Sequence, residues 1–358
     1  MRIAYIAHPL AFQLYGGSEL QFERYYQLLK KHFKIKIFNP TRDDLSTFQV
    51  LHNFTLNPDM LPVLEYAKKL GIKIVTNSNY WNLEKIVLNN PEFSIFKRIG
   101  YVLSSKLTIS GRFNWLLKFF NPKLVYIYGQ KLVLDLSDTI IVNSQAEKYL
   151  LVKDFKICKS KIFVIPNGVD QKFRYGSASA FIKKYRIKDF VLYVGRIEPK
   201  KNVLSLIRAT RNINTPLVIV GDYNPNYPKY CAAVKKEAEA SNTVIIPRLP
   251  HDSEMLRSAY KACKVFALVS FGETPGLSAL EAGLAGANVV ITEIGSTREY
   301  FSDFAYYVNP ESQIDIENKI KKAYETQKNR ALSKHIYKNY LWKKILTKTK
   351  FEEVYCND

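Results

Sequence analysis

The chain has 358 residues, enough for two domains that each bury a core of their own. Its 53 Lys and Arg residues outnumber its 32 Asp and Glu residues, and the net charge of +21 favours a phosphate-bearing partner: a nucleotide, an anionic lipid surface or a nucleic acid. There is no apolar run of 18 or more residues, the four cysteines have no C-x-x-C spacing, and Met1-Arg2 leads directly into a strand-like segment. These features argue against a transmembrane helix, a zinc site and a signal peptide, and they predict a cytoplasmic protein with reduced thiols.

The N-terminal segment predicts a strand, a loop and a helix. Residues 3–7 are apolar, and Ser18 with Gln21 has the spacing of a capping box at a helix start. Gly16 and Gly17 then precede a helix N-terminus, where backbone N–H groups stabilise an anion and glycine permits its close approach. An ordinary turn explains two glycines equally well.

Three apolar segments and one amphipathic segment follow. They predict strands at 34–38, 48–52 and 72–76 and a helix at 58–70. Alternating strands and helices are typical of a parallel, doubly wound sheet. His52 ends the second of these strands, where a single histidine more often has a structural role than a chemical one.

The character of the chain changes between residues 93 and 134, which include no acidic residue. The basic residues there are Lys97, Arg98, Lys106, Arg112, Lys118, Lys123 and Lys131, and aromatic side chains lie between them. Basic residues beside aromatic ones are typical of an interfacial element on an anionic membrane. Ordinary domain helices with solvated lysines explain the pattern equally well.

The second half begins with another strand, loop and helix pattern. We interpret 137–144 as the last strand of the first domain and 162–170 as a strand with its loop. A strand at 190–194 is followed by a loop with Arg196 and Lys201, and then by a helix. At a strand end these two cations are placed to neutralise a diphosphate, although surface cations are common enough to explain them too.

The stretch 270–286 carries the strongest chemical pattern. It follows an apolar strand pattern at 265–269 and predicts a tight loop and a helix that opens near Gly276. A helix N-terminus at the carboxyl end of a parallel strand stabilises an anion such as a diphosphate. Glu273 lies at this opening, and at ~1.5 Å per residue Glu281 lies roughly 7 to 8 Å further along the helix, so the two acids have separate roles. The alternative is a surface glutamate and a helix glutamate near an ordinary turn.

These residues resemble the GT4 family of retaining glycosyltransferases. Glu273, Gly276-Leu277 and Leu280-Glu281-Ala282 match its E-x7-E signature, and the segment from Gly195 to Lys201 matches its GR-x4-K-G motif, with Asn202 in place of the final glycine. A GG(S/T)E loop is matched at 16–19 and a PNGVD loop at 166–170. The resemblance covers essentially the whole chain. It implies the α/β fold called GT-B, in which two Rossmann-like, doubly wound parallel-sheet domains face an inter-domain cleft.

The resemblance also implies a domain division and site residues. It implies an acceptor-side domain at 1–170, a nucleotide-sugar-binding domain at 171–337, and a C-terminal helix at about 338–358 that crosses back to the first domain. The implied catalytic residues are Arg196, Lys201 and Glu273. The implied donor-binding residues are Gly16, Gly17, Gly195, Arg248, Thr274, Pro275, Gly276, Leu277 and Glu281. The family's acceptor-side histidine after the fourth strand is absent, and Ser78 or Asn79 is the candidate for its place. His8 is a further acceptor-side candidate.

The sequence therefore predicts a glycosyltransferase that uses a nucleotide-diphosphate sugar and needs neither a metal nor a cofactor, and the resemblance implies that it is a retaining enzyme. The expected acceptor is a glycan or a lipid-linked hydroxyl, and residues 93–134 would contact the cytoplasmic face of an anionic membrane. Two alternatives stay open. One is a nucleotide-sugar epimerase with the same fold, and the other is a basic nucleic-acid-binding protein, which the net charge permits but no sequence-specific motif supports.

Overall fold

The computed structural model describes residues 1–82, 84, 87, 95, 98–102, 105, 126–328 and 330–356. The described residues form two compact units. The first takes those of Met1–Leu88, Phe93–Pro166 and Trp342–Asp358, and the second takes those of Asn167–Leu341. The boundary after Pro166 lies four residues before the predicted boundary at 170.

The first unit is built on six parallel strands in the order β2-β1-β3-β4-β5-β6. The strands are β1 (Arg2–Ile6), β2 (Lys34–Ile37), β3 (Val50–Asn53), β4 (Lys73–Asn77), β5 (Thr139–Val142) and β6 (Ile162–Val164). Its described helices up to β6 are α1 (Gly17–Leu29), α2 (Leu61–Lys69), α3 (Tyr126–Leu136) and α4 (Gln145–Phe155). The order reverses at β1, which pairs with β2 on one side and with β3 on the other.

Two predictions about this unit are wrong. The strand at 137–144 is not the last of the sheet, because the short β6 pairs with it in parallel, with Ile140 opposite Ile162. The capping box is also misplaced. The helix begins at Gly17, and the Gly16 N–H donates to Glu19 Oε2 at 2.7 Å, so Glu19 holds the helix start instead of the predicted pair at 18 and 21.

The second unit has its own sheet of six parallel strands, in the order β12-β11-β10-β7-β8-β9. The strands are β7 (Val191–Val194), β8 (Leu217–Val220), β9 (Thr243–Ile246), β10 (Val265–Leu268), β11 (Asn288–Thr292) and β12 (Tyr306–Val308). The described helices are α5 (Ser179–Tyr185), α6 (Val203–Asn212), α7 (Pro228–Glu239), α8 (Glu254–Ala262), α9 (Leu277–Ala285), α10 (Thr297–Phe301), α11 (Gln313–Glu325) and α12 (Ala331–Asn339). Every residue of β8, β10 and β11 is buried, which explains why β8 and β10 are wholly apolar and β11 is apolar at 289–291.

The C-terminal region forms three short helices instead of the single predicted one. After α12, the chain continues as α13 (Trp342–Ile345) and α14 (Lys348–Cys356). The first break comes where Leu341 leaves the helical path to form a strand-like bridge with Val169. Both last helices belong to the first unit, where the Tyr25 ring lies 5.4 Å from the Phe351 ring. None of the helices in the described part of the chain is long and apolar enough to cross a bilayer.

Candidate functional site

The strand order of the second unit reverses between β7 and β10, which are paired. In open parallel sheets, ligands bind outside the carboxyl ends of the strands at the point where the order reverses. Two loops leave the strand ends at this point. The loop after β7 carries Arg196 and Lys201, and the loop after β10 carries Glu273. The topology therefore gathers the three predicted catalytic residues at one edge of one sheet.

Two glycines let these loops lie directly against neighbouring backbone. A Cβ at Gly295 would lie 2.0 Å from the carbonyl oxygen of Glu273, and a Cβ at Gly221 would lie 1.8 Å from that of Gly195. Glu273 is held further because its carbonyl accepts from the Ser296 N–H at 3.0 Å. Gly295 thus helps to fix Glu273. This role was not predictable from the sequence pattern, because it depends on a contact between distant loops.

Lys201 and Glu273 form the central ion pair of the site. Lys201 Nζ donates to Glu273 Oε1 at 2.7 Å across 72 positions of sequence, and the two side chains are only 20% and 7% exposed. Burial works to raise the pKa of Glu273, but the charges of Lys201 and Lys200 outweigh it, and the pKa lies below its ordinary value. Glu273 is therefore ionised at neutral pH and accepts hydrogen bonds from hydroxyl groups.

Arg196 adds positive charge to the same neighbourhood. Its Nε lies 3.5 Å from Glu198 Oε2, and its carbonyl accepts from the Tyr193 hydroxyl at 2.7 Å. Burial raises the pKa of the Tyr193 hydroxyl, and the charges of Glu198 and Glu273 raise it further. Residues from both loops therefore shift the pKa of the same buried group. Together with Lys200 and Lys201, Arg196 gives three basic groups against the carboxylates of Glu198 and Glu273, although burial lowers the pKa of Lys200. Basic groups thus outnumber acidic ones on these two loops, which favours binding of an anion.

Asn202 closes the loop after β7 in a left-handed backbone conformation, with φ of 53°. Asparagine tolerates this region better than most residues do. Its side-chain amide donates to Pro310 O at 2.9 Å and to Val269 O at 3.3 Å, so it also links the loop to the end of β10. The asparagine at this glycine position of the motif therefore preserves the turn and adds two hydrogen bonds.

The N-terminus of α9 lies next to the ion pair. Gly276 precedes Leu277, the first residue of the helix, with φ of 89°, and a Cβ on it would lie 3.6 Å from Glu273 Oε2. Thr274 and Pro275 complete the short connection. The N–H groups of the first turn have no partner within the helix, so the positive end of the helix dipole adds to the field of the cations.

Glu281, on α9, is buried, and both of its carboxylate oxygens are engaged. His251 Nε2 lies 2.6 Å from Oε1, and the Tyr260 hydroxyl donates to Oε2 at 2.7 Å. Each oxygen keeps a second lone pair for a ligand hydroxyl. His251 is not among the predicted site residues, although its place in the loop after β9 is a signal in the sequence. Arg248 lies in the same loop with an exposed side chain, and its N–H donates to Asp222 Oδ1 at 3.0 Å.

The first unit places three of its candidates around the reversal of its own strand order. His8 follows β1, and its Nε2 lies 3.3 Å from Asp59 Oδ2, in the segment after β3. Gly16 and Gly17 lie at the start of α1. These residues therefore border the position at which ligands bind in such sheets.

Ser78 and Asn79 follow β4, and both side chains are already hydrogen-bonded. Ser78 Oγ donates to Glu147 Oε1 at 2.5 Å, while Asn79 bonds to Gln21 and Asn143, which also bond to each other. Burial raises the pKa of Glu147 above its ordinary value, although its hydrogen bonds oppose this. This buried acid is not among the predicted site residues, although the S-x-x-E capping pattern at the start of α4 is a signal for it.

His52 has the structural role that its position suggests. It is buried, its Nε2 lies 2.9 Å from Asn77 Oδ1, and its Nδ1 lies 2.8 Å from the Tyr355 hydroxyl on α14. Burial lowers the pKa of His52 to about 3, so the ring is neutral and joins the C-terminal helix to the sheet.

Within the described ranges, one group has the donor atoms of a metal site: Asp170, His251 and Asp252. Lys172 Nζ already contacts Asp252 and lies 3.7 Å from Asp170 Oδ2. His251 also uses Nε2 to contact Glu281. Lys172 thus supplies positive charge to the carboxylates of Asp170 and Asp252.

Two family profiles match the chain. The profile described as Glycosyltransferase Family 4 matches residues 20–173, and the profile described as Glycosyl transferases group 1 matches residues 178–339. The chain belongs to the GT4 family of glycosyltransferases.

Curated GT4 relatives match part of the chain. The D-inositol 3-phosphate glycosyltransferase of Stackebrandtia nassauensis is 30% identical over 196 residues, and the match covers 49% of this chain and 43% of the relative. The protein of the same name from Mycolicibacterium smegmatis is 30% identical over 174 residues, with coverage of 47% and 40%. The matched part spans less than half the length of these relatives.

Solved structures extend the likeness to the whole chain. Sucrose-phosphate synthase (tll1590) from Thermosynechococcus elongatus has a TM-score of 0.75 at 16% identity, covering 99% of this chain and 98% of its own. Anabaena Alr3699/HepE, in complex with UDP and glucose, has a TM-score of 0.71 at 15% identity, covering 100% and 99%. These similarities confirm the predicted GT-B fold.

The stretch at 93–134, predicted to contact a membrane, lies mostly outside the described residues of this GT4 chain. Its described end belongs to α3, where Lys131 Nζ lies 2.5 Å from Asp135 Oδ2. The role of the stretch in membrane contact stays a prediction.

Proposed function

We propose that the chain is a retaining, metal-independent glycosyltransferase that moves a sugar from a nucleotide-diphosphate sugar to an acceptor hydroxyl. The observation that carries this proposal is the buried Lys201–Glu273 pair beside Arg196 and the N-terminus of α9. Together they offer cations and helix N–H groups to a diphosphate and a carboxylate to sugar hydroxyls.

The proposed reaction breaks the bond between the anomeric carbon and the diphosphate oxygen. The acceptor oxygen forms the new bond on the same face of the sugar, and the proton of the acceptor hydroxyl passes to the leaving diphosphate. Negative charge grows on the diphosphate as its bond breaks, and Arg196, Lys201 and the helix N-terminus stabilise it. Glu273 holds hydroxyls of the transferred sugar.

Glu281 holds the ribose diol of the nucleotide in this proposal. His251 and Tyr260 fix the orientation of its carboxylate, so the lone pairs left on its oxygens point in set directions. The Anabaena Alr3699/HepE structures contain UDP or UDP-glucose, which supports a nucleotide sugar as the donor here. The basic and aromatic residues at 93–134 support a glycan or lipid-linked acceptor at the cytoplasmic membrane face.

A thermal-stabilisation screen with UDP, GDP, ADP, CMP and their sugars tests the proposal. A ligand that binds only the folded chain at about 100 times its Kd adds roughly 2.7 kcal/mol of stability. We expect one nucleoside diphosphate to raise the Tm in excess EDTA, and the Arg196→Ala variant to lose most of this rise. Turnover of the matching nucleotide sugar should then persist in EDTA. Loss of turnover that magnesium restores, or release of a rearranged free sugar without any acceptor, would contradict the proposal.

A further inference from the structure

The second unit contains a basic pocket away from the loops of the proposed active site. It is a cavity of about 540 Å³, within the size range of small-molecule sites. Its basic lining residues are Arg174, Lys261, Lys328, Arg330 and Lys334. None of the described residues that line it is acidic, and within the described chain none of these five cations forms an ion pair.

Two of the five cations bond to backbone carbonyls, and Lys328 Nζ donates to Lys261 O at 3.3 Å. Lys261 Nζ donates to Ala285 O at 2.8 Å, at the C-terminal end of α9, and the neighbouring Ser333 hydroxyl donates to Leu284 O at 2.7 Å. A helix C-terminus carries only about half a negative charge. Capping α9 therefore accounts for Lys261. The acceptor of Lys328 is a neutral carbonyl, so within the described chain the other four cations of the pocket have no matching anion.

The cations are held near one another despite their repulsion. Burial lowers the pKa of Lys261, and the charges of Lys328, Arg330 and Arg174 lower it further. The Arg174 guanidinium is held against the Tyr337 ring, 4.0 Å from its centre. A bound anion would remove this repulsion, and fixed guanidinium and ammonium groups suit phosphate oxygens.

The basic pocket is separate from the donor site. It lies at the Gly286 end of α9, whereas Glu273 and Gly276 lie at the other end. The helix has nine residues, which corresponds to a separation of about 12 to 14 Å along its axis. We propose that the basic pocket binds a second ligand that carries two or more phosphate groups, independently of the nucleotide-sugar donor.

Calorimetry at low ionic strength with tripolyphosphate as the probe tests this proposal on the full chain. The variant Lys328→Glu/Arg330→Glu reverses two exposed charges of the pocket and leaves Lys261 in place as the helix cap. The control Lys235→Glu/Lys236→Glu makes the same charge change on the exposed face of α7. We expect saturable binding that falls at least about tenfold in the pocket variant and less than about threefold in the control, because long-range charge is screened while direct contacts are lost.

A second arm distinguishes the source of the phosphates. Vesicles of phosphatidylcholine with phosphatidic acid are compared with pure phosphatidylcholine, using the same variants. Selective loss of binding in the pocket variant on the anionic vesicles assigns the site to a lipid headgroup, and loss on tripolyphosphate alone assigns it to a soluble ligand. Three results would overturn the proposal. The pocket and control variants could lose tripolyphosphate affinity equally, the loss of affinity could be confined to Arg196→Ala, or the wild type could show no saturable binding. An unchanged Tm shows that the variants are folded. The milder Arg330→Gln change tests the same site with less risk of misfolding.

Discussion

Replacing Lys201 by methionine would leave Glu273 as a buried carboxylate without its nearest counter-charge. Removing one partner of a buried ion pair costs about 3–5 kcal/mol. Because Lys201 is 20% exposed and the charge of Lys200 stays near Glu273, we expect a loss of about 3 kcal/mol, at the low end of that range. For a unit of this size the loss corresponds to a decrease in Tm of about 6 to 12 °C.

The double variant Lys201→Met/Glu273→Gln removes the stranded charge as well. Its Tm should recover most of the loss, because the cost lies in an unpaired carboxylate and not in the missing lysine. Lys188→Met, at a side chain that is 74% exposed, is the matched control and should leave the Tm unchanged. A double variant that melts no higher than Lys201→Met would refute the reasoning.

The same variants have a defined pH dependence. In the wild type the pKa of Glu273 is lowered by folding, so the carboxylate contributes stability above its unfolded pKa, and this contribution is lost as the pH falls through the folded pKa. In Lys201→Met, burial dominates and the pKa rises, so the deficit relative to wild type should be largest at neutral pH and shrink towards pH 4. Thermal melts between pH 4 and pH 8 measure both effects. A deficit that does not change with pH would show that the carboxylate is not its cause.

Four further variants have expected outcomes. Arg196→Ala should lower kcat by about 10² or more, while Glu281→Gln should raise the donor KM more than it lowers kcat, as steady-state kinetics would show. Gly295→Ala places a Cβ 2.0 Å from the Glu273 carbonyl at a φ of 119°, so turnover should fall about tenfold or more and the Tm should fall as well; a variant with wild-type turnover and Tm would show that Gly295 does not fix Glu273. Folding lowers the pKa of His52 from 6.5 to about 3, so its contribution to stability is present above pH 6.5 and declines as the pH falls towards 3; His52→Gln should flatten the Tm profile in this window, and an unchanged slope would contradict the assignment.

Much of the fold is readable from local sequence patterns. The loops with Lys201 and Glu273 each follow an apolar strand, and the carboxyl ends of parallel strands meet at one edge of a sheet. Their proximity thus follows from the order of elements. The direct contact between their side chains does not, because it depends on how two loops 72 residues apart are folded.

The features that the sequence hides depend on tertiary contacts. Gly295 matters only because another loop crosses it, and His251 matters because α9 brings Glu281 to it. The predicted single C-terminal helix failed because Leu341 pairs with Val169, a contact that helical periodicity cannot show. Asn202, by contrast, can be interpreted from the sequence. Asparagine tolerates a left-handed backbone, and it stands where the motif has glycine.

Arg196 and Lys201 hold the diphosphate of a nucleotide sugar in the proposed reaction. Calorimetry with the nucleoside diphosphate that stabilises the chain most, and with its monophosphate, tests it directly. We predict that the wild type binds the diphosphate at least about tenfold more tightly, and that Arg196→Ala brings this ratio towards one while monophosphate affinity stays unchanged. An equal ratio in the wild type and the variant would show that the diphosphate is bound elsewhere and would contradict the account.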